Sequence, residues 1–200
     1  AAAGPANYQD LWWAGEAESG WGMSVAQRGN VQFNVLYVYD AAGEPQWIVM
    51  PGGTWNPTFT TYTGKLYLTK SAPFSSYDNI AKPDEVTEVG SAAITYSSAA
   101  TAQLQYVING ISGQKNISRQ AFGPVDNTPG LNVGDLWWGG EATQNGWGLN
   151  ITQQYRTLFS VWYTYNQERK PIWYVMPGGA WLGNSYTGTL YSFKNSAWLG

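Results

Sequence analysis

Hydrophobic and polar residues alternate with period two along much of the chain. From Val31 to Tyr39 the odd positions are Val31, Phe33, Val35, Tyr37 and Tyr39. Successive side chains of a strand point to opposite faces, so such a run predicts a half-buried antiparallel strand. The pattern predicts strands near 10–16, 21–28, 31–40, 45–51 and 60–69. Three more follow near 86–97, 102–109 and 113–122. The breaks carry turn chemistry. Arg28-Gly29-Asn30 can close a hairpin through a glycine at positive φ, residues 40–44 form a longer loop, and Pro51-Gly52-Gly53 ends a strand. Helical spacing fits none of these segments, and 24 Gly with 10 Pro weigh further against helix.

The first five segments occur twice. Asp10-Leu11-Trp12-Trp13-Ala14-Gly15-Glu16 returns as Asp135-Leu136-Trp137-Trp138-Gly139-Gly140-Glu141, and Gly20-Trp21-Gly22 returns as Gly146-Trp147-Gly148. Trp47 to Gly53 matches Trp173 to Gly179, Trp55 matches Trp181, and Tyr62-Thr63-Gly64 matches Tyr186-Thr187-Gly188. Between Asp10 and Trp55, 23 of 46 residues are identical in the second copy, far beyond chance. In the strand from Val31, one face recurs (Thr157, Phe159, Val161, Tyr163, Tyr165) while the other drifts. The pattern reads as sheet whose inner faces wrap a common core.

The expected fold is therefore all-β: an antiparallel up-and-down meander forming a small eight-stranded barrel, plus a second, incomplete five-stranded copy. The first repeat spans residues 8–123, a linker 124–132, and the second repeat 133–200. Five strands of such a barrel leave an open edge and an uncovered apolar face. A neighbouring chain, the first unit, or residues removed by truncation could complete it.

Composition narrows the function classes. Charged residues make up only 12%, against about 25% in an average domain. The net charge is −3 and the arginines are scattered, so no basic stripe for nucleic acid is visible. There is no Cys and no His, which removes thiolate metal sites and the commonest general base. Asp78, Asp84 and Glu85 lack the spacing of a calcium loop, so neither a metal nor another cofactor is expected. No run is long and apolar enough for a transmembrane helix. Ala1-Ala2-Ala3-Gly4-Pro5 reads either as the new end left by signal-peptide cleavage or as a cloning remnant.

Leu11-Trp12-Trp13 with Glu16, Gly20-Trp21-Gly22, Tyr37-x-Tyr39-Asp40 and Pro45-x-Trp47 resemble a Trp-rich repeat of exported bacterial proteins that opens "LWW…ESGWG". Tyr106 to Phe122 resembles the closing strands of that family. The resemblance implies a secreted or cell-surface protein, periplasmic or extracellular, and carries no catalytic residue with it. The barrel outline is similar to avidin-like and lipocalin-like folds in shape only.

An antiparallel meander puts Glu16, Trp21, Tyr39 and Trp47 at one mouth, and Glu141, Trp147, Tyr165 and Trp173 at the equivalent one. An acid among flat rings suits a glycan, since rings stack on sugar C–H faces and the acid accepts hydroxyl hydrogen bonds. Alternatively, the tryptophans plug the barrel and the acids serve turns. The opposite mouth should gather Gly52, Gly53 and Trp55, where paired glycines allow close backbone approach. Of Trp12-Trp13 and Trp137-Trp138, one of each pair must face outward; with Trp181 and Trp198 these are candidate interface anchors. Asp10 and Glu16 lie about 20 Å apart on an extended strand, too far for a glycosidase pair. The expected function is thus a non-enzymatic secreted binding module for a glycan or another small polar ligand. The alternative is a self-assembling structural or adhesive subunit completed by strands of a neighbouring chain, a homo-oligomer through its open sheet edge.

Overall fold

The computed structural model describes residues 4–77 and 84–199; Ala1–Ala3 and Asp78 lie outside the described residues. The first repeat runs β1 (Asp10–Trp13), β2 (Gly22–Arg28), β3 (Val31–Tyr39), β4 (Pro45–Met50), β5 (Thr54–Trp55), β6 (Thr61–Lys70), β7 (Glu85–Tyr96), β8 (Thr101–Ile108) and β9 (Ile111–Arg119). β1 pairs with both β2 and β9, and β4 meets β6 through Val49 and Tyr67. The sheet thereby closes into an eight-stranded antiparallel barrel, with β5 added as a short hairpin on β6. No α-helix occurs among the described residues, and none is long and apolar enough to cross a membrane.

The first strand ends at Trp13 rather than Glu16. Gly15 turns the chain at φ 88, and Glu16–Glu18 form one 3-10 turn. The barrel is filled by residues such as Trp12, Met23, Leu36, Met50 and Leu66, all fully buried. The paired glycines serve the strand beside them: a Cβ on Gly53 would collide with the Thr63 carbonyl.

The second repeat forms β10 (Asp135–Trp137), β11 (Gly148–Gln154), β12 (Thr157–Tyr165) and β13 (Pro171–Met176) in one four-stranded sheet. Where the pattern led us to expect a fifth strand in that sheet, there is a separate hairpin of β14 (Ala180–Leu182) and β15 (Ser185–Thr187). One further bridge joins Val175 to Tyr191. These reproduce the pairing of Trp55 with Tyr62 and of Val49 with Tyr67. In the first repeat β6 is held along ten residues by β7; its counterpart has no such neighbour among the described residues and stays short.

Alternation gives two faces to β3, and both are buried. The even side chains Leu36 and Val38 point into the barrel; the odd ones Val35, Tyr37 and Tyr39 point outward, against the second repeat. The recurring face is thus the outer one, and it packs on its own copy. The drifting face lines the barrel.

At the centre of this contact, Trp47 donates its indole N–H to the Thr164 carbonyl at 3.0 Å, and Trp173 donates to the Val38 carbonyl at 3.0 Å. Trp47 lies 5.2 and 5.6 Å from the rings of Tyr163 and Tyr165; Trp173 lies 6.0 and 5.7 Å from Tyr37 and Tyr39. Every contact has its mirror, so the two repeats are related by a local two-fold axis. Burial of both repeats forms one hydrophobic core. Replacing either tryptophan with Phe keeps most of the ring area and deletes one hydrogen bond, which is worth about 0.5–1.5 kcal/mol net. We expect Trp47→Phe and Trp173→Phe to destabilise by similar amounts in urea unfolding, and either Ala variant by about 3–5 kcal/mol.

Candidate functional site

The local two-fold axis generates two clefts, one on each side of the Trp47–Trp173 contact. The first, of about 450 Å³, is lined by Leu11, Trp13, Gly20, Trp21, Tyr37 and Tyr39 from the first repeat and by Phe159, Trp173, Val175 and Pro177 from the second. The other, of about 510 Å³, is lined by Leu136, Trp138, Gly146, Trp147, Tyr163 and Tyr165 together with Phe33, Trp47, Val49 and Pro51. These are the equivalent positions with the repeats exchanged. Each cleft therefore takes the opening motif of one copy and the strand-four motif of the other. Polar groups sit at the rims: Gln120, Lys194 and Asn195 at the first, Thr69, Asp84 and Asn145 at the second.

The sequence-derived site residues are accordingly redistributed. Trp21 and Tyr39 meet Trp173, whereas Trp147 and Tyr165 meet Trp47. Trp21 and Trp47, expected at one mouth, line different clefts, because Trp47 faces out of the barrel into the other repeat. Glu16 and Glu141 are exposed and line neither cleft. They lie at the 3-10 turns between the first two strands of each copy, turned to solvent.

No protein-family model, curated protein or solved structure matches the chain.

The acid beside the rings is Glu18. Its carboxylate accepts the Trp21 indole N–H at 3.3 Å and the Lys115 ammonium at 2.6 Å. In the other copy Gln144 accepts from Trp147 at 3.2 Å. The single inserted residue before Gly146 hides this equivalence in the sequence. Tyr39 donates to the Gly20 carbonyl at 2.5 Å, and Tyr165 is paired with the Thr69 hydroxyl at 2.8 Å. Burial pushes the Tyr37, Tyr163 and Tyr165 phenols well above the usual tyrosine range, so they remain neutral O–H groups.

The barrel mouth itself is plugged. Trp198 lies 5.2 Å from Trp21 and 4.7 Å from Tyr106, and its backbone N–H donates to the Tyr39 carbonyl at 3.3 Å. Its equivalent is Phe74, which lies 5.1 Å from Trp147 and 4.6 Å from Trp162. Each repeat thus sends the segment after its sixth-strand position across to stopper the other. The sequence signal was present: Leu66-Tyr67 and Lys70 recur as Leu190-Tyr191 and Lys194. Gly43 makes room for the crossing chain. It turns at φ 76, and a Cβ there would strike the Asn195 carbonyl.

The expected interface tryptophans fall into different environments. Trp12 is fully buried inside the barrel, so it anchors no surface. Trp13 and Trp138 line the clefts, and Trp198 forms the plug. Trp181 donates to the Arg156 carbonyl within its own copy. Trp137 is half exposed.

The ammonium of Lys115, hydrogen bonded to Glu18, holds its carboxyl below the usual 4.5. A depressed folded value means the grip on Trp21 is complete above 4.5 and is lost as pH falls through the lower folded value. We expect a step in tryptophan emission in that acid range, absent in Glu18→Gln and in Trp21→Phe. The neutral Gln144 predicts no such step from Trp147.

Proposed function

We propose that the chain is a non-enzymatic, exported binding module. Its ligand is a glycan or another small molecule with polar edges and a flat apolar face, held in the two clefts. The observation that carries this reading is the convergence of the recurring aromatic positions on two equivalent clefts. Their volumes fall in the range of about 300–1,000 Å³ typical of ligand sites. Trp13 and Trp138 offer ring faces that are only partly covered, and amide, hydroxyl and charged groups lie at the rims where sugar hydroxyls need partners. The plugged mouth moves the site from the barrel end to the seam between repeats.

We propose assembly as a second role, through the four-stranded sheet of the second repeat. Trp137 favours it: its indole donates to the Val133 carbonyl as Trp12 donates to Tyr8, both at 3.0 Å, yet it is 50% exposed where Trp12 is 0%.

Titrating the whole chain with a panel of neutral and acidic oligosaccharides, followed by tryptophan emission, tests the first reading. We expect saturation at two equivalents for at least one sugar class. Trp13→Ala and Trp138→Ala should each weaken one site by roughly two- to tenfold, the loss of one ring contact. A flat response across the panel would refute a glycan ligand.

A further inference from the structure

The two clefts share a plan and differ in charge. The glycine before the cleft tryptophan is Gly20 in the first and Gly146 in the second. Both turn at positive φ, 111 and 102, and each lies against a tyrosine hydroxyl of its own copy, that of Tyr39 or Tyr165. The other repeat supplies a further group at the same point. A Cβ on Gly20 would strike the Asn195 amide, whereas a Cβ on Gly146 would lie 3.2 Å from an Asp84 carboxylate oxygen. The two-fold axis therefore sets an acid where its mirror position holds a neutral amide. The neighbouring charges follow the same contrast. Lys194 lines the first cleft. No lysine or arginine lines the second, and among the described residues Asp84 is the one charge on its wall. Asp84 accepts the Ser71 hydroxyl and stays exposed at the rim. Lys70 and Arg169 pair instead with Glu85, at 3.6 and 3.1 Å.

The rest of that wall is largely aromatic. Trp47, Trp138, Trp147, Tyr163 and Tyr165 converge on the 510 Å³ space. Trp138 keeps 52% of its surface exposed, more than its counterpart Trp13. Aromatic rings carry negative charge on their faces, so several rings around one space attract a cation. A carboxylate at the rim adds a counter-charge. A metal ion does not fit this wall, since it needs several oxygen ligands and no cluster of three acids occurs among the described residues. We infer that the second cleft selects a ligand carrying an organic ammonium group, as an amino sugar or a methylated amine does, seated on Trp138 and Trp147 with its charge toward Asp84. The inference rests on reading the clefts as ligand sites, and it adds the ligand's charge. A neutral sugar can occupy both clefts; a cation distinguishes them, because Lys194 repels it from the first.

Two pairs of probes test this on the whole chain at matched ionic strength. Choline is set against its neutral isostere 3,3-dimethylbutan-1-ol, and glucosamine against N-acetylglucosamine. The readout is the ¹⁹F spectrum of 5-fluorotryptophan protein, with Trp13 and Trp138 assigned by their loss in Trp13→Phe and Trp138→Phe. We expect at least one cation to shift Trp138 saturably, at least about fivefold more tightly than its neutral partner, and to leave Trp13 in place. Which cation does so separates a methylated amine from an amino sugar. Asp84→Asn should cut that preference about threefold or more. Equal binding of cation and neutral partner at Trp138, an equal shift of Trp13, or a preference indifferent to Asp84→Asn overturns the inference and leaves the clefts as ligand sites. Silence from all four probes also overturns it. If an oligosaccharide still saturates the clefts, the binding reading stands; if none does, both fall.

Discussion

The architecture depends on two tryptophans that each need a partner outside their own repeat. A buried indole brings a large apolar area and one N–H that must be satisfied. Trp47 and Trp173 meet both demands by entering the other copy, packing at a steep angle against two tyrosine rings and donating to a strand carbonyl there. A carbonyl has two lone pairs, so it can accept an indole in addition to any ladder bond. Because the contact is reciprocal, one geometric solution serves twice. The two-fold axis follows from it, and so do the paired clefts.

The crossing plugs are the second consequence. Once the outer faces are seated, the chain leaving β6 lies close to the other repeat's mouth, and Phe74 and Trp198 turn into it. The crossing is pinned by polar contacts at the rim: Lys194 pairs with Glu44, the Asn195 N–H donates to the Gly43 carbonyl, and Gln167 donates to Ser75. Such exposed ion pairs contribute little by themselves. The aromatic rings they position supply the burial.

Much of the fold was legible because strand alternation is a local property. β2, β3, β4 and β8 lie within a residue or two of where the pattern placed them, and the barrel follows from their order. The orientation of the faces was not legible. Period two separates two sides but does not say which is inward when both are buried, as on β3. Repetition was the misleading cue: the odd residues recur because they pack against their own copies, while Leu36 and Trp162 differ because only one of them lies in a closed barrel. The tryptophans of the clefts were legible as residues, but not their grouping, since Trp21 finds Trp173 only through the two-fold axis. Glu18, Phe74 and Trp198 were obscured by small changes of register between copies, one residue inserted before Gly146 and two removed after Trp181.

The exchanged plugs also set an order of events during synthesis. The first barrel has all eight of its strands once Arg119 has emerged, yet its mouth stays unstoppered until Trp198 arrives. Contacts this distant along the chain form slowly, because the loop must close before they are rewarded. A nascent molecule therefore carries Trp21 and Tyr106 uncovered while the second repeat is translated, and the barrel made first becomes watertight only after its neighbour has followed it.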